Sequence, residues 1–498
     1  MNTGQISKGI LYLFLLAGLI LTWQCRDGNS ANTWGVPFPK IGTNSSPRLV
    51  DLTGDGVLDV VIGAGRNEGI PCDEGVIALD GVDGAILWTV HSTDQIVGSP
   101  VFLDVSEDGI PDIFIGGRSA NFVAISGCDG EIIWRYHPIT GEEGVTANAR
   151  FNFYTPQIIP DQDGDNVEDI LVTNGGNVQA APGNEMHRYP GVLLILSSKT
   201  GKILAADTMP DGKETYMSPL LANFGRSAGM EIVFGTGGET IGGSLYRVPL
   251  SALVSGDIGG AQRLIYGSTH GFIAPPTLVD ITKDGVLDIV ANYHAGIMYA
   301  IDGWSDSILW KVEMEDCEAN STPSPGYFND DDVPDLFGHF SVGTWPRNRG
   351  TRQVMVDGRN GEILLLDSLG CTGFFSPVVF DFDQDGQDET LLPVNDFNCL
   401  GIHVTDILHR MMVFDLEENQ RLQFGETSKM KNVSSTPWLG DMDNDGKLDL
   451  VFTLQTNTSV ILEFHGMALF RSATSIDISG EPAWGAYLGS QYDGIFLR

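Results

Sequence analysis

The chain is 498 residues long and carries 65 Asp and Glu against 28 Lys and Arg, a formal charge of −37. Such a polyanion is repelled by nucleic-acid backbones and anionic membrane surfaces, so neither is an expected partner of the folded region. Its 62 glycines, with no sustained helical periodicity, point to many turns and to β-structure.

The first feature in chain order is a targeting segment. Lys8 precedes an apolar run from Gly9 to Trp23, about 15 residues, which suits a secretory segment better than a membrane span of about 20. Cys25 follows and resembles the lipidated cysteine of bacterial lipoproteins, with Trp23 and Gln24 in place of the small residues that usually precede it. A signal peptide or lipoprotein-type anchor is therefore expected over 1–25, followed by a linker over 26–44. The expected location is the cell surface, outer membrane or periplasm, with membrane contact only through that anchor.

From residue 45 a repeat takes over. "SPRLVDLTGDGVLDVVIG" (Ser46 to Gly63) returns as "SPVFLDVSEDGIPDIFIG" (Ser99 to Gly116), "TPQIIPDQDGDNVEDILV" (Thr155 to Val172) and "PPTLVDITKDGVLDIVAN" (Pro275 to Asn292). Further copies are "SPVVFDFDQDGQDETLLP" (Ser376 to Pro393) and "TPWLGDMDNDGKLDLVFT" (Thr436 to Thr453). Two are worn: "SPLLANFGRSAGMEIVFG" from Ser218, and "SPGYFNDDDVPDLFG" from Ser324. Their acidic loops open at 51, 104, 161, 223, 280, 327, 381 and 441, roughly 47 to 62 residues apart.

Each unit reads as four strands. A Ser/Thr-Pro pair opens the first, where proline's missing N–H precedes the ladder. The acidic loop and an apolar run such as "DVVIG" follow. Then "ALDGVDGAILW" (Ala78 to Trp88), echoed at Ala124 to Trp134 and Ala300 to Trp310, places a tight turn between a third and a fourth strand. Four antiparallel strands at this period predict an all-β, eight-bladed β-propeller over 45–475 (alternatively seven-bladed). A parallel β-helix is the other reading, but its repeat is much shorter. Either Asn32 to Lys40 or a C-terminal segment, 476–498, is expected to close the ring.

The loop itself reads D-x-[DNST]-x-D-G-x-x-D. Oxygens at alternate positions converge, glycine permits the reversal, and a many-oxygen shell of flexible geometry suits calcium. Positions 1, 3, 5 and 9 are Asp51, Thr53, Asp55 and Asp59 in the first unit and Asp104, Ser106, Asp108 and Asp112 in the second. They are Asp161, Asp163, Asp165 and Asp169 in the third, and Asp280, Thr282, Asp284 and Asp288 in the fifth. The seventh has Asp381, Asp383, Asp385 and Glu389; the eighth has Asp441, Asp443, Asp445 and Asp449. The sixth offers Asn329, Asp331 and Asp335, with Tyr327 first, and the fourth, at Asn223, is expected to bind nothing. The expectation is about six or seven calcium ions. The EF-hand is excluded because position 12 is apolar and strands flank the loop. The bland alternative is an Asx-turn in which each aspartate caps backbone N–H groups.

These repeats resemble FG-GAP repeats, the calcium-binding units of the integrin α-subunit N-terminal propeller and of many exported bacterial proteins. The "LDGxxGxxLW" half is similar to the tryptophan-bearing repeats of quinoprotein-type eight-bladed propellers, although the adjacent-cysteine pair associated with quinone dehydrogenases is missing. The resemblance implies the fold and calcium, and leaves function open among adhesion, carbohydrate binding, lyase chemistry and scaffolding.

Function is expected on the face opposite the acidic loops, built from the long loops between second and third strands and between blades, such as His137 to Tyr154 and Ser341 to Thr351. There the scarce basic residues gather: Arg66, Arg118, His187, Arg188, His294, Arg347, Arg349 and His403. They predict an electropositive patch for a carboxylate-bearing sugar or peptide, unless loops are simply polar. The leading expectation is a non-enzymatic surface module, adhesive or binding, for protein or glycan. The alternative is a polysaccharide lyase with a His or Arg beside a uronate carboxylate. Cys371 and Cys399 share one repeat and are the pair expected to bridge; buried thiols are the other reading of the cysteines beyond Cys25.

Overall fold

In the computed structural model the described residues are 33–138, 144–226, 229–399, 407–457, 464–478 and 480–498. The predicted targeting segment, with Cys25, and His403 lie outside them.

Eight sheets, each built on four antiparallel strands, form the blades of a propeller. The innermost strands are Arg48–Val50, Val101–Leu103, Gln157–Ile159, Leu220–Ala222, Thr277–Val279, Ser324–Gly326, Val378–Phe380 and Trp438–Gly440, and they number the blades from one to eight. Second strands such as Asp59–Gly63 and Asp112–Gly116 are buried at every residue, because neighbouring blades cover both faces; hence their unbroken apolar runs. Outer strands such as Ile86–Ser92 alternate, one face being solvated. The core lies between blades. Val61, Ala78 and Trp88 of blade one pack with Ile113, Ile115 and Val123 of blade two.

The "LDGxxGxxLW" pattern has an inter-blade cause. The Nε1–H of Trp88 donates to Gly127 O (3.0 Å), that of Trp134 to Ser198 O (2.6 Å) and that of Trp310 to Gly358 O (2.7 Å), each in the next blade's tight turn. The indole then covers the glycine that ends that turn. Gly130, Gly201 and Gly361 have φ of 75°, 69° and 78°, and a Cβ on any of them would stand 2.6 to 2.9 Å from the tryptophan. Glycine is required twice over, by conformation and by contact.

A second belt runs round the axis at the Ser/Thr-Pro pairs. The N–H of Ser46 donates to Ser99 Oγ (3.1 Å), that of Ser99 to Thr155 Oγ1 (3.0 Å), and that of Thr155 to Ser218 Oγ (3.1 Å). After Pro275, which lacks a hydroxyl, the belt resumes from Thr322 to Ser376 (3.1 Å), Thr436 (2.9 Å) and back to Ser46 (2.9 Å). This corrects one sequence assignment. Thr322–Pro323, not Ser324–Pro325, opens the sixth unit, and Ser324 already belongs to its inner strand.

Ring closure uses Trp34–Phe38, which is the fourth strand of blade eight and pairs Trp34 with Arg471 through Phe38 with Met467. Part of the stretch read as a linker is therefore a strand. Trp34 keeps the tryptophan role, donating to Gly81 O at 3.0 Å in blade one. The C-terminal segment does something else: it fills the axis. Ile495–Phe496 pairs in parallel with Leu278–Val279, Trp484 bridges to Val379, and Leu439 donates to Gly485 O at 2.7 Å. Arg48 donates to the carbonyls of Tyr487 (3.2 Å) and Tyr492 (3.4 Å), and stacks on the Tyr492 ring at 4.4 Å. Cys371 and Cys399 form a disulfide.

Candidate functional site

Each acidic loop is first of all a hydrogen-bonded turn. In blade one, Asp51 accepts the N–H groups of Gly54 (2.7 Å) and Gly56 (3.1 Å), and Asp55 accepts that of Val57 (2.8 Å). Position 9 is a tie between loops. Asp59 Oδ2 accepts from Leu52 (2.8 Å) and Thr53 (3.0 Å), while its Oδ1 accepts from Gly81 (2.8 Å) in the turn between strands three and four. Asp112 and Asp288 repeat this with Gly127 and Gly303; Asp335 and Asp169 do so with fewer bonds. The two loop types thus share one face, as expected.

Carboxylates converge more selectively than the pattern suggests. Among the described residues, ligand atoms of three acids lie within 4.8 Å of one another in only three loops: Asp161, Asp163 and Asp169; Asp381, Asp383 and Asp385; Asp441, Asp443 and Asp449. Burial and then the neighbouring aspartates push Glu389 up to about 8, and burial chiefly pushes Asp169 up to about 6. Asp381 Oδ1 is buried without a hydrogen-bond partner. The loops at 51, 104, 280 and 329 hold no such triple.

The loop of blade eight already contains a cation. Arg471, 1% exposed, places Nη2 at 2.5 Å from Asp443 and 3.1 Å from Asp449, and Nη1 at 3.0 Å from Gly81 O. Blade four, whose loop keeps only Glu231 at position 9, has an arginine at the equivalent place. Arg247 bonds Gly303 O (2.8 Å) and pairs with Asp306 of blade five. Both stand opposite the second residue after position 9, Val233 with Arg247 and Val451 with Arg471. Sequence reasoning missed both. The signal was a lone arginine inside a buried third strand.

On the opposite face the expected basic patch is largely neutralised. Arg118 pairs with Glu68 at 3.0 Å, Arg188 with Glu214 at 3.1 Å, and Arg349 with Asp316. Arg66 and Arg347 are exposed. His187 is exposed beside Asn184. His294 is buried, bonded through Nδ1 to Ala319 O (3.0 Å) and lowered to about 4 by that burial.

None of these residues lines the cavity that does occupy this face. It holds about 290 Å³ at the axial mouth, ringed by the hydroxyl belt. Its lining includes Tyr154 and Tyr216 from the entries to blades three and four, Trp345 and Phe374 from blades six and seven, and Tyr487 of the C-terminal segment. The first pair has ring centroids 6.1 Å apart, and the second meets edge to face at 5.4 Å. All five rings are partly open. Glu239 of blade four also lines the cavity; the protein around it pushes its carboxyl up, against the pull of Arg188.

Fold and site together define an eight-bladed β-propeller with an axial cavity opposite its acidic loops. Among solved structures the chain is similar to a europium-containing methanol dehydrogenase, at 10% identity over 88% of this chain and 92% of that one, with a TM-score of 0.55. It is also similar to the quinohemoprotein alcohol dehydrogenases of Pseudomonas putida HK5 (TM-score 0.54) and Comamonas testosteroni (TM-score 0.53), each at 10% identity over 90% of this chain and 78% of that one. At these identities the likeness is one of fold. No protein-family model and no curated protein matches the chain, so the FG-GAP likeness rests on the repeats alone.

Proposed function

We propose that this protein is an exported, non-enzymatic binding module that takes the end of a glycan at its axial cavity. The observation that carries the reading is the cavity itself: five partly open aromatic rings, with the amides of Asn44 and Asn320 and the hydroxyl belt around them. Aromatic faces accept the apolar face of a sugar ring, and convergent amides and hydroxyls hold its polar rim. At about 290 Å³ the cavity lies at the small end of ligand pockets, the size of a chain terminus. A lyase is less well supported. Arg118, Arg188 and Arg349 are already paired with acids, and burial pushes Tyr154 and Tyr216 far above the range of a useful base.

Calcium belongs to the same reading, at two loops. The triples at 161–169 and 381–385 fit a hard divalent ion, having convergent carboxylates and, at Asp381, a buried oxygen without a partner. Bound there, the ion would supply charge compensation and rigidity to blades three and seven. Export rests on Lys8 and the apolar run after it, and the Cys371–Cys399 bridge suits an oxidising compartment. The test is a glycan array followed by calorimetry. Binding that Trp345→Ala abolishes, while Arg66→Ala leaves it intact, is expected; retention in Trp345→Ala would move the site elsewhere.

A further inference from the structure

We infer that the axial cavity selects a ligand bearing a positive charge on nitrogen, a protonated amino sugar or an ammonium group of similar size. This rests on the proposed axial site and specifies its ligand class. Two aromatic pairs, Tyr154 with Tyr216 and Trp345 with Phe374, line one cavity together with Tyr487. Electron-rich ring faces attract a cation and offer nothing to an anion.

The charges round the cavity point the same way. Glu239, an exposed residue, lines it; no hydrogen bond or ion pair engages its carboxylate among the described residues, and the charge that acts on it is that of Arg188. Glu214 is held by Arg188 at 3.1 Å, and Glu318 accepts the backbone N–H of Trp345 at 2.8 Å. Glu214 and the Tyr216 hydroxyl (2.5 Å) already engage Arg188. His294 lies behind Glu318, at 3.8 Å, and its burial keeps it neutral. One carboxylate is therefore left for a ligand. The formal charge of −37 draws cations towards the surface generally. This reverses the expectation of a carboxylate-bearing ligand.

The experiment titrates the full chain, by calorimetry, with three tetrasaccharides of equal length: chitosan (protonated amines), chitin (neutral amides) and galacturonate (carboxylates). Tetramethylammonium and neopentyl alcohol, a neutral molecule of similar size, serve as sugar-free probes. Chitosan should bind at least about tenfold more tightly than chitin, with galacturonate weakest. Glu239→Gln should remove most of that preference and leave chitin binding within about twofold. Chitin or galacturonate binding as tightly as chitosan, lost in Trp345→Ala, would overturn the cation inference and keep the axial glycan site. Tetramethylammonium binding that needs Glu239, with no sugar bound, would keep the cation site and overturn the glycan reading. No binding by any probe would overturn both.

Discussion

Arg471 answers a question the sequence poses: what stands between aspartates placed as closely as Asp441, Asp443 and Asp449. In blade eight it is a guanidinium of the chain itself, buried and bonded to two of them. Removing one partner of such a group leaves buried charge uncompensated, at a cost of about 3–5 kcal/mol. Arg471→Leu should therefore lower the melting temperature in chelator. It should also open the loop to an external ion, so that millimolar calcium restores more stability to the variant than it adds to the parent. Equal calcium responses, read by differential scanning fluorimetry, would show that the guanidinium does not occupy a cation's place. The acids were legible because loop ligands are local in sequence. Arg471 was not, since its partners lie 22 and 28 residues away and only strand pairing brings them together. The cavity had a local signal that went unread. Residues two before the Ser/Thr-Pro pair, such as Asn44, Tyr216, Asn320, Phe374 and Ser434, line it blade after blade, because the chain enters the inner strand from the axial mouth.

Among elements, the repeat unit was legible because its four strands, its turn glycines and its tryptophan recur in one order, and each answers to a contact inside a blade or with the next. The C-terminal segment does not recur. Its seventeen residues, 482–498, touch inner strands scattered along the chain: Leu49, Gln157, Leu278, Val379 and Leu439 all bond to it. Nothing local announces a plug, which is why a closing strand was the natural expectation. Trp484, Ala486 and Leu488 are fully buried and Phe496 nearly so, so the segment is the core of the axis. Trp484→Ala should cost about 3–5 kcal/mol through lost burial and the cavity left behind. Chemical denaturation with an unchanged midpoint would mean that the blades hold without their axial filling. The same segment supplies Tyr487 to the candidate site, so deleting 482–498 should abolish axial binding even where the ring survives.

For the whole molecule, the formal charge of −37 sets how it responds to metal and to pH. Two calcium ions would offset four of those charges, a local rather than global correction. At a hundredfold excess over Kd each adds about 2.7 kcal/mol, so chelation should lower the melting temperature by roughly five to ten degrees. An unchanged temperature would leave the loops as Asx-turns alone. Protons act on two opposed sets of groups. Burial raises carboxylates such as Glu389 (about 8) and Asp335 (about 7); in the metal-free protein they take up protons more readily folded than unfolded, so through them acidification stabilises. Burial lowers His294 and His339 to about 4 and His409 to about 3. Through these the sign is the reverse. The unfolded chain protonates them below about 6.5 while the folded chain does not, so their contribution is full above that pH and is lost as pH falls towards 4. The two sets separate in a variant that keeps the carboxylates. His409 bonds Asn395 Oδ1 through Nδ1 at 3.2 Å, a contact that the amide of His409→Gln can retain. Between pH 7 and pH 5 the parent should lose about 1–2 kcal/mol more stability than His409→Gln, measured by urea denaturation at each pH. Parallel losses in the two proteins would show that His409 titrates alike in the folded and unfolded chains, and that its burial puts no cost on its charge.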